Sequence, residues 1–231
     1  MNVIDKRADT ARATAVKPPA HELVYRRLRD KVLFGDLAPG EAVTIQGLIQ
    51  ALDAGMTPVR EAIRRLISER ALRFQGNRRV SVPVLTGADL DQIVFLRKSI
   101  ESQLARRAAT RIDAAAMAEL HQIDAALDRA ILSGDVAGYL RQNYLFHARL
   151  YARADAPILA ELADDLWLRF GPSLRVVCGR FGTQNLPDRH KELLHALGLG
   201  DAGAAAEAME RDVEQGMDQI AAALAPGGAA T

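Results

Sequence analysis

The sequence predicts a mainly α fold in two parts: a small N-terminal unit of three short helices and a β-hairpin, then an antiparallel bundle of about six helices. Apolar residues recur at helical spacing along most of the chain, and short breaks rich in Gly, Pro, Ser and Asn separate the segments. Only around Gly76-Asn77 do two short runs alternate between apolar and polar residues, as in a hairpin. Aromatic residues make up 5% of the chain, and Ala and Leu are abundant, which favours helix.

The composition bounds the class of protein and its compartment. A chain of 231 residues can form one large domain or two modest ones. It has no apolar run of the roughly 18 residues that a membrane span needs, and its first 20 residues lack the apolar core of a signal peptide. The single cysteine, Cys178, excludes an internal disulfide framework and suits a reducing interior. The sequence therefore predicts a cytoplasmic protein.

The charges divide unevenly between the two parts. Residues 1–85 hold 15 Lys and Arg against 9 Asp and Glu, whereas residues 86–231 hold 15 against 20. A basic front half joined to a mildly acidic back half indicates that only the front half meets a polyanion.

Turn signals divide the chain into four regions. We expect a disordered arm over 1–20, a basic unit of helices and a hairpin over 21–84, an all-helical unit over 86–224 and a disordered tail over 225–231. Helices are predicted at 21–35, from Thr44 to Leu52 and from Thr57 in the first unit, and at 87–110, 113–133, 135–153, 157–181, 188–198 and 201–224 in the second.

The stretch from Gly55 to Glu69 has the pattern of an amphipathic helix. Thr57 is expected to cap it, and Pro58 suits its first turn. The predicted inward face carries Val59, Ala62, Ile63, Leu66 and Ile67, and the outward face carries Thr57, Arg60, Glu61, Arg64 and Ser68. Guanidinium groups match phosphate oxygens and guanine edges, so the outward face suits a contact with DNA. Taken alone, the pattern also fits a solvated surface helix.

The neighbouring segments favour the DNA interpretation. A tight turn, Asp53-Ala-Gly55, joins this helix to the preceding one, which is the arrangement of a helix-turn-helix. The hairpin that follows carries Arg78 and Arg79 at its tip. Three helices and a basic hairpin make a winged helix-turn-helix, with the second helix of the pair placed for the major groove.

These residues also resemble a known family. From Val24 to Val82, the runs VYRRLRDKVLFGDLAPGE and TPVREAIRRL and the hairpin resemble the DNA-binding domain of GntR-family bacterial regulators. The resemblance implies a double-stranded DNA operator as partner. The DNA-binding residues that we predict are Thr57, Arg60, Arg64, Asn77 and Arg78. One departure is that the family usually has Ser-Arg where this chain has Gly55-Met56, which removes about 1–3 kcal/mol of base discrimination if that arginine reads a guanine.

In the second part, polar residues occupy positions on apolar helix stripes. The residues in question are Arg97, Asn143, His147, His190 and Asp212, whereas His121 and His195 fall on outward faces. Buried charges and imidazoles cost several kcal/mol each unless they are paired or ligated, so a polar pocket inside the bundle is their best common explanation. Each residue alone also fits a hydrogen-bonded core group.

The layout resembles the FCD ligand-binding domain of the FadR-type subfamily, in which an Asp-x-x-x-His pair and two later histidines hold a divalent metal. The resemblance implies a metal site at Asn143, His147, His190 and Asp212, with Asn and Asp replacing a usual Asp and His. Such a set suits Zn, Ni, Mn or Fe(II), with open positions for water or an effector carboxylate. The alternative is a metal-free pocket in which Arg97, His147 and His190 bind an anionic effector directly.

The expected function is a ligand-responsive transcriptional regulator, most often a repressor in such families, that answers to a small organic acid. One small winged domain offers few DNA contacts, so a homodimer on two half-sites is expected. Two alternatives remain open. Two histidines and a carboxylate with an open position can activate water in a metalloenzyme, although no general acid or base stands at motif spacing. The altered ligand set also fits a DNA-binding protein that responds to no effector.

Overall fold

The computed structural model describes residues 18–75, 79–183 and 189–224. Its elements in chain order are α1 (Ala20–Leu33), β1 (Ala42–Val43), α2 (Ile45–Leu52), α3 (Met56–Ser68), β2 (Arg73–Gln75), β3 (Arg79–Ser81), α4 (Gly87–Ala109), α5 (Ala114–Ser133), α6 (Val136–Tyr151), α7 (Pro157–Phe181), α8 (His190–Gly198) and α9 (Ala202–Leu224). The mainly α fold is confirmed, and every described helix boundary lies within two residues of its predicted position. Of the disordered arm predicted over 1–20, residues 1–17 lie outside the described residues, and Ala20 already belongs to α1. The tail over 225–231 also lies outside the described residues.

The N-terminal unit is a winged helix-turn-helix. α1 packs against α3 through fully buried side chains such as Leu28, Val59 and Leu66. The predicted hairpin is present as β2 and β3, which pair antiparallel. β1 adds a third strand that was not predicted, giving the sheet order β1-β3-β2. The hairpin tip, with Asn77 and Arg78, lies outside the described residues.

The start of α3 differs from the prediction. The helix begins at Met56, the N-cap is Gly55 in an extended conformation, and no side chain caps it. Thr57 is therefore the second helical residue, and its predicted capping role is wrong. Glycine is accepted at an N-cap, and Pro58 remains within the first turn, where a missing N–H removes no helical hydrogen bond.

The C-terminal unit is a bundle of helices that begins at a capping box. The Thr86 hydroxyl accepts the Asp89 N–H at 3.2 Å, and the Asp89 carboxylate accepts the Thr86 N–H at 2.8 Å. α4 packs along α9, α5 along α6, and α8 against α9. α7 contacts α4, α6 and α9, so it runs through the middle of the bundle.

The same α7 also packs against α1, which joins the bundle to the winged unit. The helices approach closely at Gly171, where an added Cβ would lie 2.2 Å from the carbonyl oxygen of Leu33. Beside this contact, Arg29 of α1 forms an ion pair with Asp164 of α7. The part of the chain that the structure describes contains no helix with the length and apolar character needed to cross a membrane.

Candidate functional site

The outward face of α3 presents its polar residues to solvent. Thr57, Arg60 and Arg64 are exposed, while Val59 and Leu66 on the opposite face are fully buried. The predicted orientation of the helix is therefore confirmed. Because neither arginine takes part in a described ion pair, both guanidinium groups are available to a polyanion.

A groove of about 660 Å³ separates α3 from the sheet. Arg60 and Arg64 line it on the helix side, and Arg79 lines it on the wing side. Phe74 of β2 stands at the same groove with 65% of its surface exposed. The groove thus combines three positive charges with apolar surface, which suits a sugar-phosphate backbone passing between helix and wing.

In the bundle, three of the predicted ligands come together from three helices. His147 lies on α6, His190 begins α8, and Asp212 lies on α9. Their side chains are 1%, 0% and 13% exposed, and one ligand atom from each lies within 4.8 Å of the others. His121 and His195 are exposed, as predicted.

The donor atoms of this cluster converge. The Nε2 atoms of His147 and His190 are 3.4 Å apart, and Asp212 Oδ2 lies 3.2 Å from His147 Nε2. Two imidazole nitrogens at roughly 2.0–2.1 Å from one tetrahedral metal would lie about 3.3–3.4 Å apart. The two nitrogens can lie this close when one carries an N–H that donates to the other, or when both direct their lone pairs at one cation. The residues present fit a divalent metal.

The carboxylate of the cluster stays ionised. Burial alone would raise the pKa of Asp212, but its hydrogen bond with His147 and the nearby imidazole of His190 outweigh burial and hold that pKa below its ordinary value. Asp212 Oδ1 also accepts the backbone N–H of Arg189 at 3.2 Å. An ionised oxygen donor therefore faces the two imidazoles.

The cluster opens on a small cavity. Its volume is about 30 Å³, enough for one or two water molecules. Asn143 and Arg97 line it together with His147, Asp212 and Trp167. All the predicted pocket residues except His190 are thus found in the cavity wall, and the cavity as it stands is too small for a sugar acid or an aromatic acid.

The Arg97 guanidinium already has a carboxylate partner inside the bundle. Its Nε donates to Glu101 Oε1 at 2.5 Å and its Nη2 donates to Glu101 Oε2 at 3.0 Å, and both side chains are buried. Its guanidinium carbon also lies 4.1 Å from the centre of the Phe170 ring. The charge that was predicted to bind an anionic effector is balanced inside the protein.

Each imidazole has a polar side chain on its Nδ1 side. Tyr151 Oη lies 3.1 Å from His147 Nδ1 and donates to Glu101 Oε2 at 2.6 Å. On the other side, Asp124 Oδ1 lies 3.6 Å from His190 Nδ1. A carboxylate or hydroxyl behind the ring, away from the metal, is the usual support of a metal-binding histidine.

A series of ring contacts runs from the cluster to the winged unit. The centroids are 5.1 Å apart for His147 and Trp167, 5.5 Å for Trp167 and Tyr144, and 5.9 Å for Tyr144 and Phe34. Phe34 caps the end of α1. The cavity wall and the DNA-binding unit are therefore in van der Waals continuity.

A polar contact runs beside these rings. Tyr144 Oη donates to Asp164 Oδ1 at 2.6 Å, and Asp164 is paired with Arg29 of α1. Burial and the neighbouring Asp164 carboxylate raise the pKa of Tyr144 to about 12, so the hydroxyl keeps its proton. The bundle thus holds α1 by the edge contact between Phe34 and Tyr144 and by the partly exposed ion pair of Arg29 with Asp164.

Several of these supporting residues were missed from the sequence. Glu101 follows Arg97 by four positions, and Tyr151 follows His147 by four, so both pairs share a helix face. This spacing was a usable signal. No local pattern marks Asp124 or Trp167, because their partners lie on other helices.

Comparison with known proteins agrees with this architecture. Residues 20–82 match the bacterial regulatory proteins of the gntR family, and residues 92–215 match the FCD domain. The HTH-type transcriptional regulator McbR of Escherichia coli K12 is 31% identical over 174 residues, covering 75% of this chain and 78% of McbR. The HTH-type transcriptional repressor RspR of the same organism is 24% identical over 205 residues, covering 85% and 87%.

Solved structures give the same result. The structure of E. coli McbR superposes with a TM-score of 0.83 at 26% identity, covering 89% of this chain and 98% of that one. A GntR regulator from Rhodococcus sp. RHA1 superposes with a TM-score of 0.73 at 25% identity, covering 89% and 99%. The chain therefore belongs to the GntR family of DNA-binding transcriptional regulators and carries an FCD domain behind its winged helix-turn-helix.

Proposed function

We propose that the chain is a ligand-responsive repressor in which a divalent metal in the bundle controls how the winged unit meets its operator. The observation that carries this proposal is the series of ring contacts from His147 through Trp167 and Tyr144 to Phe34. A ligand acts on DNA binding only through its differential affinity for two states. Through these contacts, a ligand bound in the bundle would favour one arrangement of the winged unit over another.

The metal centre would use His147, His190 and Asp212, with Asn143 as a fourth donor from the cavity wall. Two imidazoles, a carboxylate and an amide oxygen suit Zn, Ni, Mn or Fe(II). When bound, the cation supplies positive charge that can hold an effector carboxylate. Because this chemistry belongs to a chain whose domains and relatives are transcriptional regulators, the metalloenzyme alternative is set aside.

A small organic acid would need the cavity to enlarge beyond its 30 Å³. Its walls include Trp167 and Phe170, and Trp167 is the ring that contacts Tyr144. An effector that pushes this wall outward would move the contact that leads to α1. Entry of the effector and a change at the winged unit would then be the same event.

The partners follow from the winged unit and the relatives. Arg60 and Arg64 on α3, with Thr57 beside them and Asn77 and Arg78 on the wing, would contact a double-stranded operator. One winged unit makes few contacts with DNA, so a homodimer on two half-sites is proposed. Repression is proposed because one relative, RspR, is named a repressor.

Operator binding by the Arg60→Ala variant tests the DNA-binding face. Arg60 is exposed and makes no described contact with the core, so the variant should stay folded and lose most of its operator affinity. The matched control is Arg106→Ala, which removes an exposed arginine from α4 in the bundle. The measurement is fluorescence anisotropy with promoter-proximal fragments at low salt. Equal affinities for the two variants would contradict the assigned face.

Elemental analysis of the purified protein, followed by calorimetry with small carboxylic acids, tests the bundle. Near-stoichiometric metal that is lost in His147→Ala supports the centre. A protein that binds its operator with the same affinity with metal, without metal and with every acid would instead be an effector-blind DNA-binding regulator, the alternative that the closed cavity favours.

A further inference from the structure

We infer that Tyr151 and Glu101 are positioning residues that keep the Nε2 lone pair of His147 turned toward the metal centre. This role deepens the proposed function and rests on it, because a fixed lone pair matters only if a cation is bound there. It also gives Arg97 a different task from the predicted one. Arg97 would hold Glu101 in place rather than bind an effector.

The direction of each hydrogen bond follows from counting protons. Tyr151 has one hydroxyl proton, and two neighbouring atoms could accept it, Glu101 Oε2 at 2.6 Å and His147 Nδ1 at 3.1 Å. A carboxylate held by an arginine can only accept, so the hydroxyl proton must point at Glu101. The phenol oxygen then accepts from His147, which places a proton on Nδ1.

The opposite arrangement is unfavourable. If the Tyr151 hydroxyl pointed at the imidazole, its oxygen would face the Glu101 oxygen at 2.6 Å with no proton between them. With Nδ1 held protonated by Tyr151, Nε2 is the atom that His147 would offer to a cation. In the structure Nε2 lies 3.4 Å from His190 Nε2 and donates to Asp212 Oδ2 at 3.2 Å, and a bound cation would take the place of that proton. A metal binds imidazole through the lone pair of such a nitrogen.

The side chains behind His147 are held in place because they are buried and bonded to one another. Both oxygens of Glu101 accept from Arg97, and the two side chains are 0% and 4% exposed. The Arg97 guanidinium in turn lies against the face of Phe170. Water cannot readily replace Tyr151 as the partner of Nδ1, since the residues around it are buried.

Zinc affinity of the full chain carrying Tyr151→Phe tests this role. The substitution removes the acceptor for Nδ1–H and leaves the ring, so we expect a loss of about 10–100-fold in zinc affinity by competition with a chromophoric chelator. The matched control is Tyr144→Phe, on the same helix, which also loses a hydroxyl that donates to a carboxylate at 2.6 Å. The control should bind zinc as the wild type does, while both variants lose similar thermal stability.

Nitrogen-15 NMR of the zinc-loaded wild type provides the second readout. We expect His147 to show a protonated Nδ1 and a zinc-bound Nε2, with the Nδ1–H signal lost or shifted in Tyr151→Phe. Equal zinc affinity for Tyr151→Phe and wild type, or a zinc-bound Nδ1, would overturn the positioning role without contradicting the metal centre. A wild type that binds no zinc, nickel or manganese would instead remove the centre and, with it, this role for Tyr151.

Discussion

At the scale of single residues, the bundle site keeps its register while its donors differ from the usual set. The resemblance to FCD domains implies a carboxylate and an imidazole at the positions where this chain has Asn143 and Asp212. The structure brings Asp212 within 3.2 Å of His147 Nε2 and places Asn143 in the cavity wall. The negative charge has thus moved from one side of the cluster to the other. The two imidazoles are unchanged.

Asn143→Asp should tighten metal binding, because it adds a second anionic oxygen beside a dication. Without metal, the same change places two carboxylates at one small cavity and should lower the free energy of unfolding. The expected result is a variant that is less stable than wild type after chelation and gains more stability from added zinc. Paired thermal unfolding with and without zinc measures both effects. If added zinc does not shift the thermal unfolding midpoint of the variant, the result would contradict the placement of Asn143 beside the metal.

Helical periodicity predicted which site residues point inward, since His147, His190 and Arg97 lie on apolar stripes and are buried. It could not predict their partners on other helices. Glu101 is fully buried, although a glutamate on a helix is ordinarily solvated. Its burial is explained by Arg97 and Tyr151, and the second of these lies on another helix. Such pairings depend on helix packing, which no local pattern encodes.

At the scale of elements, α7 contributes to the cavity wall and also packs against the winged unit. Residues on one part of it line the cavity, and Gly171 lets the backbone of α1 approach. Capping residues and breaks made the helix ends predictable. The two-residue strand β1 was missed because so short a strand has no periodicity. The contact between α1 and α7 was missed because it depends on a glycine that only tertiary packing explains.

Gly171→Ala should loosen this contact. Its Cβ would lie 2.2 Å from the Leu33 carbonyl oxygen, a backbone atom that cannot rotate away, so α1 must shift. We expect a loss of roughly 1–3 kcal/mol in the free energy of unfolding. Pro172 adds an effect of the same sign, because a side chain before proline disfavours helical backbone.

The control for this change is Gly179→Ala in the same helix, where an added Cβ meets nothing within 4 Å. It should stabilise the protein by about 0.5–1 kcal/mol through reduced backbone entropy. Urea unfolding of the two variants beside wild type measures the difference. The two midpoints are expected to shift in opposite directions, with the larger shift for Gly171→Ala. A stabilised Gly171→Ala would show that α1 and α7 are not held as closely as described.

At the scale of the whole molecule, the cavity and the DNA-binding face belong to one packed body. The buried core runs without interruption from Leu28 and Leu66 in the winged unit to Phe146 and Leu193 in the bundle. A shift at the cavity wall therefore meets packed side chains rather than solvent. Because packed interiors are close to crystalline density, such a shift is passed on instead of being absorbed.

Thermodynamic linkage makes this connection measurable. If metal changes operator affinity by some factor, the operator must change metal affinity by the same factor, typically 5–150-fold. We expect chelation to change the operator affinity of the wild type and expect Tyr144→Leu to bring that factor close to one. The variant removes the ring between Trp167 and Phe34 and the hydroxyl bound to Asp164. Anisotropy titrations with and without metal give the factor in each protein.

The variant's metal affinity without DNA is the internal control. Tyr144 makes no described contact with the donor atoms of His147, His190 or Asp212, so this affinity should equal that of the wild type. A variant that binds metal and operator normally but no longer links them would assign the coupling to Tyr144. A factor that survives in Tyr144→Leu would mean that the coupling passes elsewhere along α7, and the close approach at Gly171 would be the next contact to substitute.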